Sequence, residues 1–212
     1  MPEGKPRLRG TSHALAFAAS LPLGLVLVLE AETQKGTVAA AIFAASVAVM
    51  FGASALYHCF RWPAARARWL RRLDHVGIYG LIAGTYTPFG LLVLRGHLRP
   101  VVLAIVWSGA LAAALLKFVW LDAPTWLSSV LGIALGWVGV VTAPQLFEEI
   151  GVGGSSLVFG GGLAYTAGAL VYAFRRPNPY PAVFGFHEVF HVLVIAAVAL
   201  QYSAVAFCVL PS

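Results

Sequence analysis

Residues 186–200 read FHEVFHVLVIAAVAL. Two histidines four apart and a glutamate open a run that is otherwise apolar to its end. A segment this greasy belongs in a bilayer, and three polar groups at its start need a reason. Working outward, the same character fills the chain. Of 212 residues, 60% are hydrophobic and only 10% charged, against about 25% charged in a soluble domain. A domain of this size must expose much of its surface, so this apolar excess cannot all be hidden from water. The composition predicts an integral membrane protein.

A helix needs about 20 apolar residues to cross a ~30 Å hydrocarbon core. Seven segments qualify: 13–29, 36–59, 74–94, 98–120, 126–146, 153–174 and 184–209. The connections carry turn signals: EAETQKG, RWPAARARWLRR, RGHLRP, LDAPT, EEIGVGG and RRPNPY. The expected fold is an all-α seven-transmembrane bundle forming a single domain over 1–212. The first segment follows Lys5, Arg7 and Arg9 but lacks a small-x-small cleavage site, so it reads as a span rather than a cleaved leader.

Lys and Arg concentrate on the cytoplasmic side of inner membranes. A cytoplasmic N-terminus puts Lys5, Arg7, Arg9, Arg61, Arg66, Arg68, Arg71, Arg72, Lys117, Arg175 and Arg176 inside. That is 11 of the 14 basic residues, with Lys35, Arg95 and Arg99 outside. Seven spans then leave the C-terminus outside. Topology thus accounts for the net charge of +6 without a nucleic-acid partner. Membrane lipids are the expected partners, with the Arg61–Arg72 cluster placed to meet anionic headgroups. Nothing in the sequence sets an oligomeric state. Cys59 and Cys208 fall a membrane apart and cannot bridge.

Polar residues inside spans are costly, so their depth is informative. Span 2 ends SALYHCF, with Ser54 and His58. Span 3 begins LDHVGIYG, with Asp74 at its start. Span 7 opens with His187, Glu188 and His191. The charge rule places all of these at the cytoplasmic level without having used them. His187 and His191, at i and i+4, share a helix face and form half of a zinc site. If spans 2, 3 and 7 are neighbours, His58 supplies a third nitrogen, and the fourth tetrahedral position stays open as in catalytic zinc sites. Asp74 would orient or deprotonate water there, and Ser54 would hydrogen-bond the same cluster. The blander readings are interfacial histidines at headgroup level and acids that complement helix N-termini.

HEVFH also spells HExxH, the metalloprotease signature, in which Glu188 would be the general base. That reading leaves His58 and Asp74 unexplained, and Glu188 points about 100° from His187 on the helix, so a structural or outer-shell role is expected for it. Gly160, Ala164 and Gly168, and Gly132 with Gly136, make stripes for close helix packing. Pro88 is expected to interrupt span 3, with Thr85 and Thr87 satisfying freed carbonyls. Trp62, Trp69, Trp120 and Trp126 read as interfacial anchors. His13, His75 and His97 read as interfacial or loop residues.

SALYH, LDHVGIYGLIAGTYTPF and HEVFH together resemble the hemolysin III family, within the progestin and adipoQ receptor group and the wider CREST superfamily of membrane hydrolases. The resemblance covers nearly the whole chain. Its pattern is S-x3-H near the end of span 2, Asp opening span 3 and H-x3-H opening span 7, and all five positions match. The resemblance implies zinc held by His58, His187 and His191, with Asp74 and Ser54 around a water. It implies hydrolysis of a lipid amide or ester, as in the superfamily's ceramidases, or else a cytolytic, pore-forming or membrane-homeostasis role with a structural zinc.

The orientation is testable in intact cells with an impermeant thiol reagent. In single-cysteine variants, Cys208 is expected to label from outside and Cys59 is not. Labelling of Cys59 alone would invert the topology.

Overall fold

The computed structural model describes residues 6–211. Among them there is no strand, and helices succeed one another through short turns. They are α1 (Thr11–Leu29), α2 (Gln34–Cys59), α3 (Ala64–Pro88), α4 (Leu98–Val119), α5 (Thr125–Trp137), α6 (Ala143–Phe174) and α7 (Phe186–Ala204). A 3-10 segment, Val138–Thr142, joins α5 to α6, and π turns extend α3 over Phe89–Val93 and α7 over Val205–Val209. Six helical stretches are long and apolar enough to cross a membrane: Thr11–Leu29, Gln34–Cys59, Ala64–Val93, Leu98–Val119, Thr125–Phe174 and Phe186–Val209.

The fifth stretch is 50 residues long and contains one break. Gly151 has φ 65 and ψ −175, a conformation open to glycine and strained for other residues. The connection expected over EEIGVGG is therefore mostly helical, with one residue doing the work of a loop. A second departure lies before span 3. The helix starts at Ala64, ten residues ahead of the expected start. Pro63 stands at its N-cap, and Ala, Arg and Leu are strong helix formers. Four of the five arginines expected in a loop, Arg66, Arg68, Arg71 and Arg72, thus project from a helix. Arg71 reaches Asp122 at 2.8 Å, and Arg72 donates to the Phe118 carbonyl at 3.0 Å. Lys5 lies outside the described residues.

Pro88 does not stop its helix. The α geometry passes into the π turn, closed by Leu94 N–H to the Phe89 carbonyl at 3.0 Å. Thr85 and Thr87 donate to the carbonyls of Leu81 (2.8 Å) and Ala83 (3.0 Å). The carbonyl that Pro88 frees is that of Gly84, four residues back, so the threonines do not fill the role expected of them.

Neighbours in sequence pack side by side, and α1 also meets α7, closing the bundle. The main core runs through its centre with Leu27, Phe43, Met50, Leu81, Phe89, Val194 and Val198. A second cluster, with Tyr79, Val102 and Val106, ties α3 to α4. Leu15, Val49, Leu111 and Leu163 stay exposed on the outward, lipid-facing surface. The glycine stripe of α6 seats α7: a Cβ at Gly168 would meet Leu193 and Phe190 at 3.4 Å, and one at Gly160 would meet Leu200 at 3.6 Å. Gly132 and Gly136 instead line the central cavity.

Gly84 sets the α2–α3 distance. A Cβ there would lie 2.4 Å from the Ser46 Cβ, whereas one at Gly80 meets nothing within 4 Å. Gly84→Ala is expected to lower the thermal midpoint by the equivalent of about 1–3 kcal/mol. Gly80→Ala should leave it unchanged or raise it slightly. Equal midpoints for the two variants would refute this packing.

Candidate metal centre

The bundle brings the end of α2, the first half of α3 and the start of α7 to one level. His58 is the penultimate residue of α2, and His187 and His191 occupy the first two turns of α7. One nitrogen from each of the three falls within 4.8 Å of the other two. The Nε2 atoms of His58 and His187 are 3.2 Å apart. Two ligands of a tetrahedral zinc with Zn–N near 2.0–2.1 Å are separated by about 3.3 Å, so this pair already stands at ligand spacing. His58 and His191 are buried, and each keeps its Nδ1 without a hydrogen-bond partner. Buried polar atoms are normally satisfied, and three imidazoles crowded in this way suit a soft-to-borderline cation. These three residues could hold a metal ion.

Asp74 adjoins the cluster. Its Oδ2 is 3.5 Å from His58 Nε2, and its side chain is 14% exposed. Ser54, one helical turn before His58, also adjoins that carboxylate. The five positions singled out from sequence are therefore together in space.

Three further residues join them. His13 was expected at the interface, but it is 2% exposed. Its ring stacks on that of His191, with centroids 3.7 Å apart and planes 8° apart, and its Nδ1 is 2.8 Å from the Ser54 hydroxyl. It thereby fixes both a candidate ligand and the hydroxyl beside Asp74. The signal for it was present in the sequence, because His13 lies near the start of span 1 and so at the depth of the other histidines. His75, also read as interfacial, lines the cavity beside Asp74. His97 alone keeps the expected place, exposed in the turn before α4.

Arg9 is the third. Its guanidinium pairs with Glu188, a residue 1% exposed. The other carboxylate oxygen of Glu188 accepts the Gly185 N–H at 2.7 Å and caps α7. Both oxygens are thus engaged in holding the helix that carries His187 and His191. The N-terminal segment is strapped along the α6–α7 turn: the N–H groups of Arg7 and Leu8 donate to the carbonyls of Ala182 (3.1 Å) and Val183 (3.2 Å). Gly10 then turns with φ 85, and a Cβ there would lie 2.6 Å from that of His58. Only glycine lets the strap come this close.

A cavity of about 180 Å³ opens from the centre into the bundle. His13, Ser54, Asp74, His187 and His191 line one part of it, and Met50, Leu81, Phe89 and Val194 supply apolar wall. The cavity thus joins a polar end at the histidines to an apolar chamber.

The family model for haemolysin-III related proteins matches residues 3–202. Hemolysin-3 of Bacillus cereus is 31% identical over 204 residues, covering 95% of this chain and 90% of that protein. An adiponectin receptor protein of Drosophila melanogaster is 26% identical over 92% of this chain and 48% of its own length. A heptahelical transmembrane protein of Oryza sativa subsp. japonica is 33% identical over 149 residues, which are 63% of this chain and 65% of that one.

Replacing His58, His187 or His191 by Ala is expected to lower the zinc content of purified protein, measured by elemental analysis. His13→Phe keeps the stacked ring and loses the bond to Ser54, and should retain metal better than His13→Ala. His97→Ala is the control. Full zinc in all three ligand variants would refute the site.

Proposed function

The chain belongs to the haemolysin III family, and from that premise we propose that it is a zinc-dependent hydrolase of a lipid amide or ester. It is a multi-pass integral membrane protein, with several helices of membrane-spanning length and a relative that is heptahelical by name. The observation that carries the reading is the junction of three converging histidines and a carboxylate with an apolar chamber inside the bundle.

His58, His187 and His191 would hold the zinc, which when bound supplies Lewis acidity to a substrate carbonyl. Asp74, 3.5 Å from His58, takes the proton of the attacking water and returns it to the leaving group. Ser54, steadied by His13, holds the carboxylate in place. The chamber takes the acyl chain and keeps bulk water from it.

Seven spans in a single domain over 1–212 remain our reading of the topology. At 1.5 Å per residue a 50-residue helix would run about 75 Å, over twice the hydrocarbon thickness. Division at Gly151 leaves two pieces, each long enough to cross once. The rice relative is heptahelical by name, which supports the same number. The arginines of α3 and of the α6–α7 turn lie at the histidine end, which favours a cytoplasmic site and N-terminus and an external C-terminus.

The protease reading of HExxH draws no support from Glu188, whose two oxygens are committed to Arg9 and Gly185. A structural metal in a cytolytic or membrane-homeostasis protein is the competing reading, since the same cluster also ties α2 to α7.

Incubation of purified protein with a library of lipid amides and esters, with and without chelator, separates the two. Chelator-sensitive release of fatty acid is expected. Asp74→Asn should keep most of its zinc and lose about 10²–10⁴-fold in turnover. Glu188→Gln should unfold more readily, because it leaves Arg9 uncompensated, yet turn over normally per folded molecule. Full activity in Asp74→Asn would defeat the hydrolase reading.

A further inference from the structure

The deeper part of the cavity contains a second set of polar groups for which the bundle has no use. Gln201 on α7 is 5% exposed and lines the cavity. Its Nε2 donates to the Val158 carbonyl at 3.0 Å. That carbonyl can only accept, so the amide's orientation is fixed and Oε1 is left over. Oε1 is buried without a partner. The hydroxyl of Tyr165 is buried beside the Thr85 side chain, whose oxygen can accept from it, on the same cavity wall. The Thr85 proton is already given to Leu81. Gly161 makes the room for Gln201, since a Cβ there would lie 2.6 Å from Nε2, and Tyr165 follows one turn along α6.

Two helices agree on the depth of this set. Gln201 is ten residues beyond His191 on α7, and Thr85 is eleven beyond Asp74 on α3. At 1.5 Å per residue both lie about 15 Å from the metal centre. That is about half of the ~30 Å hydrocarbon core, within the reach of one extended acyl chain. Unsatisfied polar atoms at that depth are expensive, and intramembrane polar residues of this kind mark ligand paths.

We propose that Gln201, Tyr165 and Thr85 form a mid-bilayer subsite that binds a hydroxyl carried on the chain of the lipid whose head lies at the histidines. This rests on the lipid-hydrolase reading and narrows its substrate to hydroxylated acyl chains. The chemistry selects an alcohol. Gln201 Oε1 needs a donor, and the Tyr165 hydroxyl can turn its proton from the Thr85 oxygen to a ligand oxygen, so one alcohol serves both. A ketone would answer Tyr165 alone, and an unsubstituted chain would answer neither.

The test is displacement of a fluorescent fatty acid from zinc-loaded protein in nanodiscs by octadecanoic, 12-oxo-octadecanoic and 12-hydroxyoctadecanoic acids. The hydroxy acid is expected to bind about tenfold tighter than the unsubstituted one, with the oxo acid closer to the unsubstituted. Tyr165→Phe removes one oxygen and keeps the ring, and should reduce that preference severalfold. Gln201→Leu should abolish it. Should Gln201→Leu fail to fold, the wild-type comparison and Tyr165→Phe decide. Equal affinity of the hydroxy and unsubstituted acids in the wild type would assign the subsite to water and overturn the proposal, leaving the hydrolase reading intact. Failure of all three acids to bind would remove both.

Discussion

Hydrocarbon offers no hydrogen bonds, so every polar side chain carried into the bilayer must find its partner on another helix, in a ligand or at the interface. The arrangement of this bundle follows from that constraint. His58, Asp74, His187 and His191 stand on three different helices, and none has a satisfactory environment unless α2, α3 and α7 converge. Gly84 permits the α2–α3 approach, and the glycines of α6 seat α7 from the other side. The packing of small residues and the meeting of polar ones are one requirement seen from two directions.

The same constraint explains why α1 belongs to the site. Arg9 and His13 enter the membrane level together and are both taken up by the start of α7, one through Glu188 and the other through His191. Glu188 in turn caps the helix between the two candidate ligands. A carboxylate that sequence places inside HExxH is thus occupied with aligning its neighbours. Its burial with a guanidinium is tolerable because both oxygens are engaged; removal of either partner would leave a charge stranded.

Much of this was legible in the sequence because apolar length and charge asymmetry report directly on the bilayer. The ends of α2 and α4, and the π turn that closes the last helix at Val209, fall within a residue of expectation. Ser54, His58, Asp74, His187 and His191 were found by depth and spacing, and they do converge. Charge misled where it was taken for a loop: the arginines of 61–72 mostly ride on the first turns of α3. Depth alone also marks His13, which stands near the start of α1 at the level of the other histidines and is buried among them. The pairing of Arg9 with Glu188, 179 residues apart, follows no periodicity, and only the folded bundle brings it to view.

The strap at the N-terminus has a consequence for biogenesis. Arg9 and His13 leave the ribosome about 175 residues before Glu188 and His191, which receive them. Through most of synthesis α1 sits in or beside the membrane with a guanidinium and an imidazole that have no intended neighbour. The histidine cluster therefore comes together only as α7 arrives, and a chain cut short anywhere before residue 186 cannot conceal those two groups. An incomplete product carries its own mark of incompleteness on α1, in a form that any factor surveying membrane helices for stranded charge would read.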